Sequence, residues 1–202
     1  RSSADLLVRH FGSAEVHQKT TQNLVTQADY ESETLISEII EQHFPDHRIL
    51  REEGESTGDA GAEHLWIVDP LDATNNYAHG IPHYCVSIGY AWRGEMQVGV
   101  VLDPSRDELF SAVRGQGAFL NGKKICVSRP ANLTDCRIAT GFFYERGEVV
   151  QLTLEGIDRL FKQNIRGIRR MGAAALDLTW VACGRMQGFF EYRLAPWDFA
   201  AG

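Results

Sequence analysis

Residues Trp66-Ile67-Val68-Asp69-Pro70-Leu71-Asp72-Ala73-Thr74-Asn75-Asn76-Tyr77 restrict the possible folds of this chain more than any other stretch. An apolar run of strand character stops at Asp-Pro. Pro70 lacks a backbone donor and biases Asp69 to an extended conformation, so the strand is expected to end there. Two carboxylates, Asp69 and Asp72, then share a turn, and Asp72-Ala-Thr-Asn reads as the start of a short helix with outward-facing N–H groups. Carboxylates held this close repel each other, and a helix end offsets the repulsion only in part. Two readings stay open on spacing alone. Asp69 and Asp72 hold a hard divalent cation, with a phosphate bridging it to the helix end, or they cap an ordinary strand-end turn.

Around this stretch the pattern alternates between helical and strand periods. Arg1 to Phe11 reads as a helix, and Asp29 to Phe44 as a second with Leu35, Ile36, Ile39 and Ile40 on one side, ended by Pro45. His47 to Leu50 is a short strand that delivers Glu52 and Glu53. Strands follow at 85–92, 97–102 and 108–113, joined by Arg-Gly and Gly-rich turns, then at 125–127 and 137–140. Val149 to Phe161 is an amphipathic helix. Ile165 to Arg170 is a basic strand, Ala173 to Ala182 a helix, and Gly188 to Tyr192 a strand, before a last helix opening at Pro196-Trp197-Asp198. Helices, then an antiparallel block, then alternating elements imply an α+β class rather than a doubly wound sheet. Ser128 to Asp135 is the expected boundary between halves at 1–130 and 131–202.

With 202 residues, 44% of them apolar, the chain can bury a substantial core. A net charge of −7 argues against binding nucleic-acid phosphates. An anionic small molecule remains compatible if metal ions supply local positive charge. Cys85, Cys126, Cys136 and Cys183 show no metal-type spacing, and their apolar or strand-like contexts read as buried free thiols in a reducing cytosol. No apolar run reaches membrane-spanning length. The Arg166, Arg169, Arg170 cluster reads as a solvated face.

Four segments resemble, in order, the signatures of the inositol monophosphatase family: Glu52-Glu53, the Asp69-Pro-Leu-Asp-Ala-Thr-Asn-Asn-Tyr stretch, Gly172-Ala173-Ala174-Ala175, and Pro196-Trp197-Asp198-Phe199-Ala200-Ala201-Gly202. The resemblance implies a layered αβαβα sandwich shared with fructose-1,6-bisphosphatases, and a Mg²⁺-dependent phosphate monoester hydrolase using two or three ions. It assigns Glu52, Asp69 and the Leu71 carbonyl to one metal, and Asp69, Asp72 and Asp198 to a second. Thr74, paired with Glu52, would deprotonate the attacking water, with Asp72 also in the catalytic set. Ala73 and Thr74 N–H groups would hold phosphate, with Gly172, Ala173, Ala174 and Glu191 on the substrate side.

Lys19 and Asp29 match a Lys and an Asp of a family loop beside the metals. Ala73 stands where the family has Gly and Asn75 where it has Thr, and phosphate binding is expected if φ at Ala73 is negative. Glu191, seven residues before Asp198, matches the acid that binds inositol hydroxyls. It favours inositol monophosphate, while nearby Arg193 keeps fructose 1,6-bisphosphate, histidinol phosphate and NADP open. A metal- and phosphate-binding relative without turnover is the other class of reading. A homodimer, lithium sensitivity and a cytoplasmic location are implied by the resemblance alone, with no nucleic-acid or membrane partner.

Overall fold

The structure is a computed structural model that describes residues 1–13, 16–18, 24–59, 61–144 and 147–202. Helix α1 (Ser2–His10) leads through a hairpin, β1 (Val16–Gln18) and β2 (Leu24–Thr26), into α2 (Gln27–His43). Strands β3 (Arg48–Arg51) and β4 (His64–Asp72) follow, then the short α3 (Thr74–Ala78). Next come β5 (Cys85–Trp92), β6 (Glu95–Asp103), β7 (Glu108–Val113), β8 (Gly117–Leu120) and β9 (Lys123–Ile125). The remainder is β10 (Arg137–Thr140), α4 (Glu148–Lys162), β11 (Gly167–Arg169), α5 (Ala174–Ala182), β12 (Gly188–Phe190) and α6 (Pro196–Phe199).

Strands β3 to β9 form one seven-stranded sheet in sequence order, and β11-β10-β12 form a second, parallel one. Helices α1 and α2 bury Leu7, Ile36, Ile40 and Ile49 with Val68, Tyr77 and Tyr84 on one face of the large sheet. On its other face α5 packs Ala175 and Leu176 against Cys85, Val101 and Phe110. Because helices cover both faces, β5 is buried at three successive positions, Cys85, Val86 and Ser87, before its burial alternates. Helix α5 also contacts β12, and α4 lies against the small sheet, where Gly156 leaves room for the Phe190 ring. The layers are therefore αβαβα, as the resemblance implied. Among the described residues, no helix is long and apolar enough to cross a membrane.

Three local expectations change. Strand β4 does not end at Asp69 but runs through Pro70 to Asp72. Asp69 pairs with Ser87 and Asp72 with Cys85, so β4 carries one extra residue there, and this bulge accommodates a proline that cannot donate to the ladder. Helix α2 begins at Gln27, because Asp29 is its third residue and closes a capping box on Thr26. Cys126 is exposed, not buried; it lies just past the edge strand β9.

Candidate active site

In an otherwise antiparallel large sheet, β3 and β4 run parallel, with Arg51 opposite Val68. Their C-terminal ends therefore meet at one edge and place Glu52 beside Asp69. The bulge at Pro70 then turns Asp72 toward the same space. Asp69 is 2% exposed, accepts the Leu71 N–H at 3.0 Å, and neighbours Glu52. Asp72 accepts the Ala175 N–H on Oδ2 at 2.8 Å, which ties α5 to the motif, and Cys85 Sγ approaches the same oxygen at 3.6 Å. Asp198 sits in the first turn of α6, and its Oδ2 accepts the Ala195 N–H at 2.6 Å.

The electrostatics follow from this crowding. Burial and then the neighbouring charges of Glu52, Asp72 and Asp198 push Asp69 well above the ordinary carboxylate range. Burial raises Asp72 to about 8, opposed by its Ala175 hydrogen bond and reinforced by Asp198. Burial also raises Asp198. Among the described residues, no three His, Cys, Asp or Glu side chains already close into a coordination shell. Instead Glu52 and Asp69 lie close enough that each disfavours the charge on the other. A hard divalent cation between these carboxylates would relieve the repulsions, and all the available donors are oxygens, so the residues fit magnesium.

Thr74 is oriented from a different direction than expected. Its Oγ1 bonds Asp29 Oδ1 at 2.9 Å and the Leu71 carbonyl at 3.1 Å. Among the described residues its partner is thus Asp29, not Glu52. Asp29 is fully buried, takes both the N–H and hydroxyl of Thr26 on Oδ2, and is raised by burial against those bonds. Ala73 has φ 76° and ψ 46°, the left-handed conformation rather than the negative φ expected. The chain must turn from a strand end into α3 within this one residue. Tyr77 is the first amide of α3 to bond back, to the Ala73 carbonyl at 3.1 Å, so the amides of 74–76 precede the helical ladder. Lys19 lies outside the described residues.

A cavity of about 360 Å³ opens over this edge, with Glu52, Asp72 and Asp198 at its floor and Glu191 and Arg170 on its wall. Glu191 follows β12 and lies directly over Gly141, where a β-carbon would meet its carboxylate at about 2 Å. Burial raises Glu191 to about 7, with Arg170 opposing. Asp177, on α5 beneath, is raised by burial to about 7, again opposed by Arg170. Arg170 is exposed, as expected for the Arg166, Arg169, Arg170 cluster, and it also lines the mouth of the cavity. Sequence reasoning did not separate it from Arg166, which bonds Asp135, and Arg169, because all three are exposed and only Arg170 borders the cavity.

Gly172 and Ala174 line the cavity, whereas Ala173 is fully buried and packs in the core beneath. Arg193 also lines it, with its guanidinium 5.7 Å over the Phe143 ring. A second cavity of about 370 Å³, between α1, α2 and the sheet, is largely apolar and carries none of these carboxylates.

The comparisons agree with this geometry. The chain is 39% identical over its whole length to Nus factor SuhB of Pseudomonas aeruginosa, covering 77% of that protein. It superposes with a TM-score of 0.92 on the extragenic suppressor protein suhB of Bartonella henselae, at 40% identity over 99% of this chain and 77% of that one. An IMPase/NADP phosphatase solved with Mg²⁺ and phosphate matches with a TM-score of 0.85, at 27% identity over 99% of this chain and 74% of that one. The model of the inositol monophosphatase family matches residues 3–202. With that match across all three carboxylate-bearing segments, the chain belongs to the inositol monophosphatase family.

Proposed function

We propose that the chain is a Mg²⁺-dependent phosphate monoester hydrolase acting on inositol monophosphate. The observation that carries this reading is the convergence of Glu52, Asp69, Asp72 and Asp198 at one sheet edge beneath a polar cavity. Glu52, Asp69, Asp72, Asp198 and the Leu71 carbonyl would hold two or three magnesium ions, which when bound neutralise phosphoryl charge and lower the pKa of water. Thr74 donates its proton to Asp29, so its oxygen lone pairs are left to orient the attacking water. As the water oxygen bonds to phosphorus, its proton passes to Thr74 Oγ1 and the Thr74 proton to Asp29. Burial makes Asp29 a better proton acceptor than a solvated carboxylate. The ester oxygen leaves with a proton drawn from solvent. The Ala73 and Thr74 amides would bind phosphate oxygens, and Glu191 would accept hydrogen bonds from the polyol.

Gly172 and Ala174 leave room for the substrate at the start of α5. Arg170 and Arg193 are the cations that would admit a second anionic group, as in fructose 1,6-bisphosphate or NADP; histidinol phosphate is a further alternative. A homodimer, lithium sensitivity and a cytoplasmic location go with this reading. A second reading, binding of metal and phosphate without turnover, is favoured by the left-handed Ala73 and by relatives carrying the name Nus factor.

Phosphate release with Mg²⁺ from inositol 1-phosphate, fructose 1,6-bisphosphate, histidinol phosphate and NADP separates these readings. Mg²⁺-dependent turnover led by inositol 1-phosphate, and lost in Asp72→Asn, is expected. Preference for the bisphosphate would shift the assignment to Arg170 and Arg193. No release from any substrate would overturn the enzymatic reading in favour of the binding one.

A further inference from the structure

Helix α2 presents three buried polar side chains at i, i+3 and i+4, namely Asp29, Ser32 and Glu33. Each grips a different segment of the site. Asp29 holds Thr74. Ser32 Oγ donates to the Pro70 carbonyl at 2.9 Å, inside the β4 bulge between Asp69 and Leu71. Glu33 is 5% exposed, and its two oxygens accept two successive backbone amides, Glu53 N–H on Oε2 at 2.9 Å and Gly54 N–H on Oε1 at 2.7 Å. These charge-assisted bonds fix the peptide plane immediately after Glu52.

Gly54 carries an independent sign of the same grip. Its φ is not positive, so its backbone conformation does not require glycine. A β-carbon there would lie 2.6 Å from Glu33 Oε1. Glycine is present because the carboxylate occupies the space. The Arg51–Glu41 ion pair, at 2.6 Å, ties the same loop to α2 one residue before Glu52.

We infer that Glu33 is a positioning residue for the cation site: by clamping the Glu53 and Gly54 amides it holds the Glu52 carboxylate against Asp69. The inference rests on the proposed role of Glu52 as a metal ligand. Glu33 itself touches neither substrate nor metal. A carboxamide in its place keeps one acceptor but turns an NH₂ toward the second amide, so the loop loses one bond and Glu52 its fixed direction.

The test uses Mn²⁺ as the probe, bound to the whole chain and followed by electron paramagnetic resonance, alongside the Mg²⁺ dependence of phosphate release. Glu33→Gln is expected to weaken Mn²⁺ binding by about 10- to 100-fold, the range for residues that orient metal ligands. The Mg²⁺ concentration for half-maximal rate should rise by the same factor, with kcat at saturating Mg²⁺ largely retained. Glu33→Asp, which restores the charge, should recover part of the affinity. Ser37→Ala removes a buried hydroxyl without a partner among the described residues on the same helix, and should leave Mn²⁺ binding unchanged. If Glu33→Gln does not fold, Gly54→Ala pushes on the clamp from the loop side and should weaken Mn²⁺ binding in the same direction. Wild-type Mn²⁺ affinity in Glu33→Gln or Gly54→Ala, with only a lower melting temperature, would reduce Glu33 to a structural role and overturn the inference. A wild-type chain that binds Mn²⁺ but releases no phosphate would overturn the enzymatic reading, while the Mn²⁺ comparison would still decide on Glu33.

Discussion

Ala73 offers a direct measurement of strain stored at the site. Its φ of 76° and ψ of 46° put an L-residue in the left-handed region, between the last strand carboxylate and the first turn of α3. That conformation costs an alanine about 1–2 kcal/mol, and a glycine almost nothing. Glycine in turn has a freer unfolded chain, which takes back about 0.4–1 kcal/mol. The difference leaves Ala73→Gly more stable by about 0.5–1 kcal/mol. Unfolding entropy of about 2.1 cal/mol/K per residue over 202 residues is about 0.4 kcal/mol/K. The melting temperature should therefore rise by about 1–3 °C, read by differential scanning fluorimetry and checked by urea unfolding at constant m. The amide of residue 73 survives the change, so phosphate release should not fall below wild type. An unchanged or lower melting temperature would refute the claim that the backbone, not the methyl group, sets the energetics here. A drop in turnover at raised stability would instead show that the strain is part of how the amide is aimed.

Three further outcomes are expected. Asp72→Asn should lower the rate of phosphate release by about 10²–10³, yet raise the melting temperature in EDTA at pH 7, because burial raises Asp72 to about 8 and its carboxyl must take up a proton on folding that Asn does not need; loss of both activity and metal-free stability would contradict this. His83 is 4% exposed, and burial, reinforced by Arg106 and opposed by Asp103, lowers its pKa from 6.5 to about 4. The unfolded chain therefore binds a proton that the folded chain refuses between those values, and stability should fall as pH drops through this window, by at most about 3 kcal/mol. His83→Phe should flatten the pH dependence of urea unfolding there. Gly141→Ala should displace the Glu191 carboxylate and raise KM for inositol 1-phosphate by about 10-fold or more with kcat less affected; an unchanged KM would remove Glu191 from substrate binding.

Strand positions such as 108–113 and 137–140 were readable from alternation and turn residues, because both depend on neighbours a few residues away. The carboxylate motif was readable for the same reason: Asp69 and Asp72 are close in sequence before they are close in space. What sequence did not reveal is set by long-range placement. Thr74 meets Asp29 across 45 residues, through a capping box that also supplies the helix start. Arg170 is exposed like Arg166 and Arg169, and its place at the cavity mouth depends on contacts remote in sequence. Ala173 and Ala174 are adjacent and identical, yet one lies in the core and the other on the cavity wall. Pro70 within β4 reversed a sound local rule, because a bulge and the Ser32 hydroxyl together accommodate a residue that would otherwise end the strand.

The close seating of residues 199–202 on the large sheet carries a consequence for how the molecule assembles. Gly89 and Gly99 present no side chains to Ala200 and Ala201; a β-carbon on Gly99 would lie 2.4 Å from the Ala201 carbonyl. Asp198 reaches the other carboxylates only when this seam closes, and the Asp72–Ala175 bond that accompanies it spans 103 residues. Contacts of such sequence separation form only after the local strand pairs have removed most of the chain's freedom. The carboxylate cluster is therefore expected to close late in folding, after the β4–β7 meander has formed. Added Mg²⁺ should slow unfolding in proportion to the stability it contributes and leave the refolding rate almost unchanged.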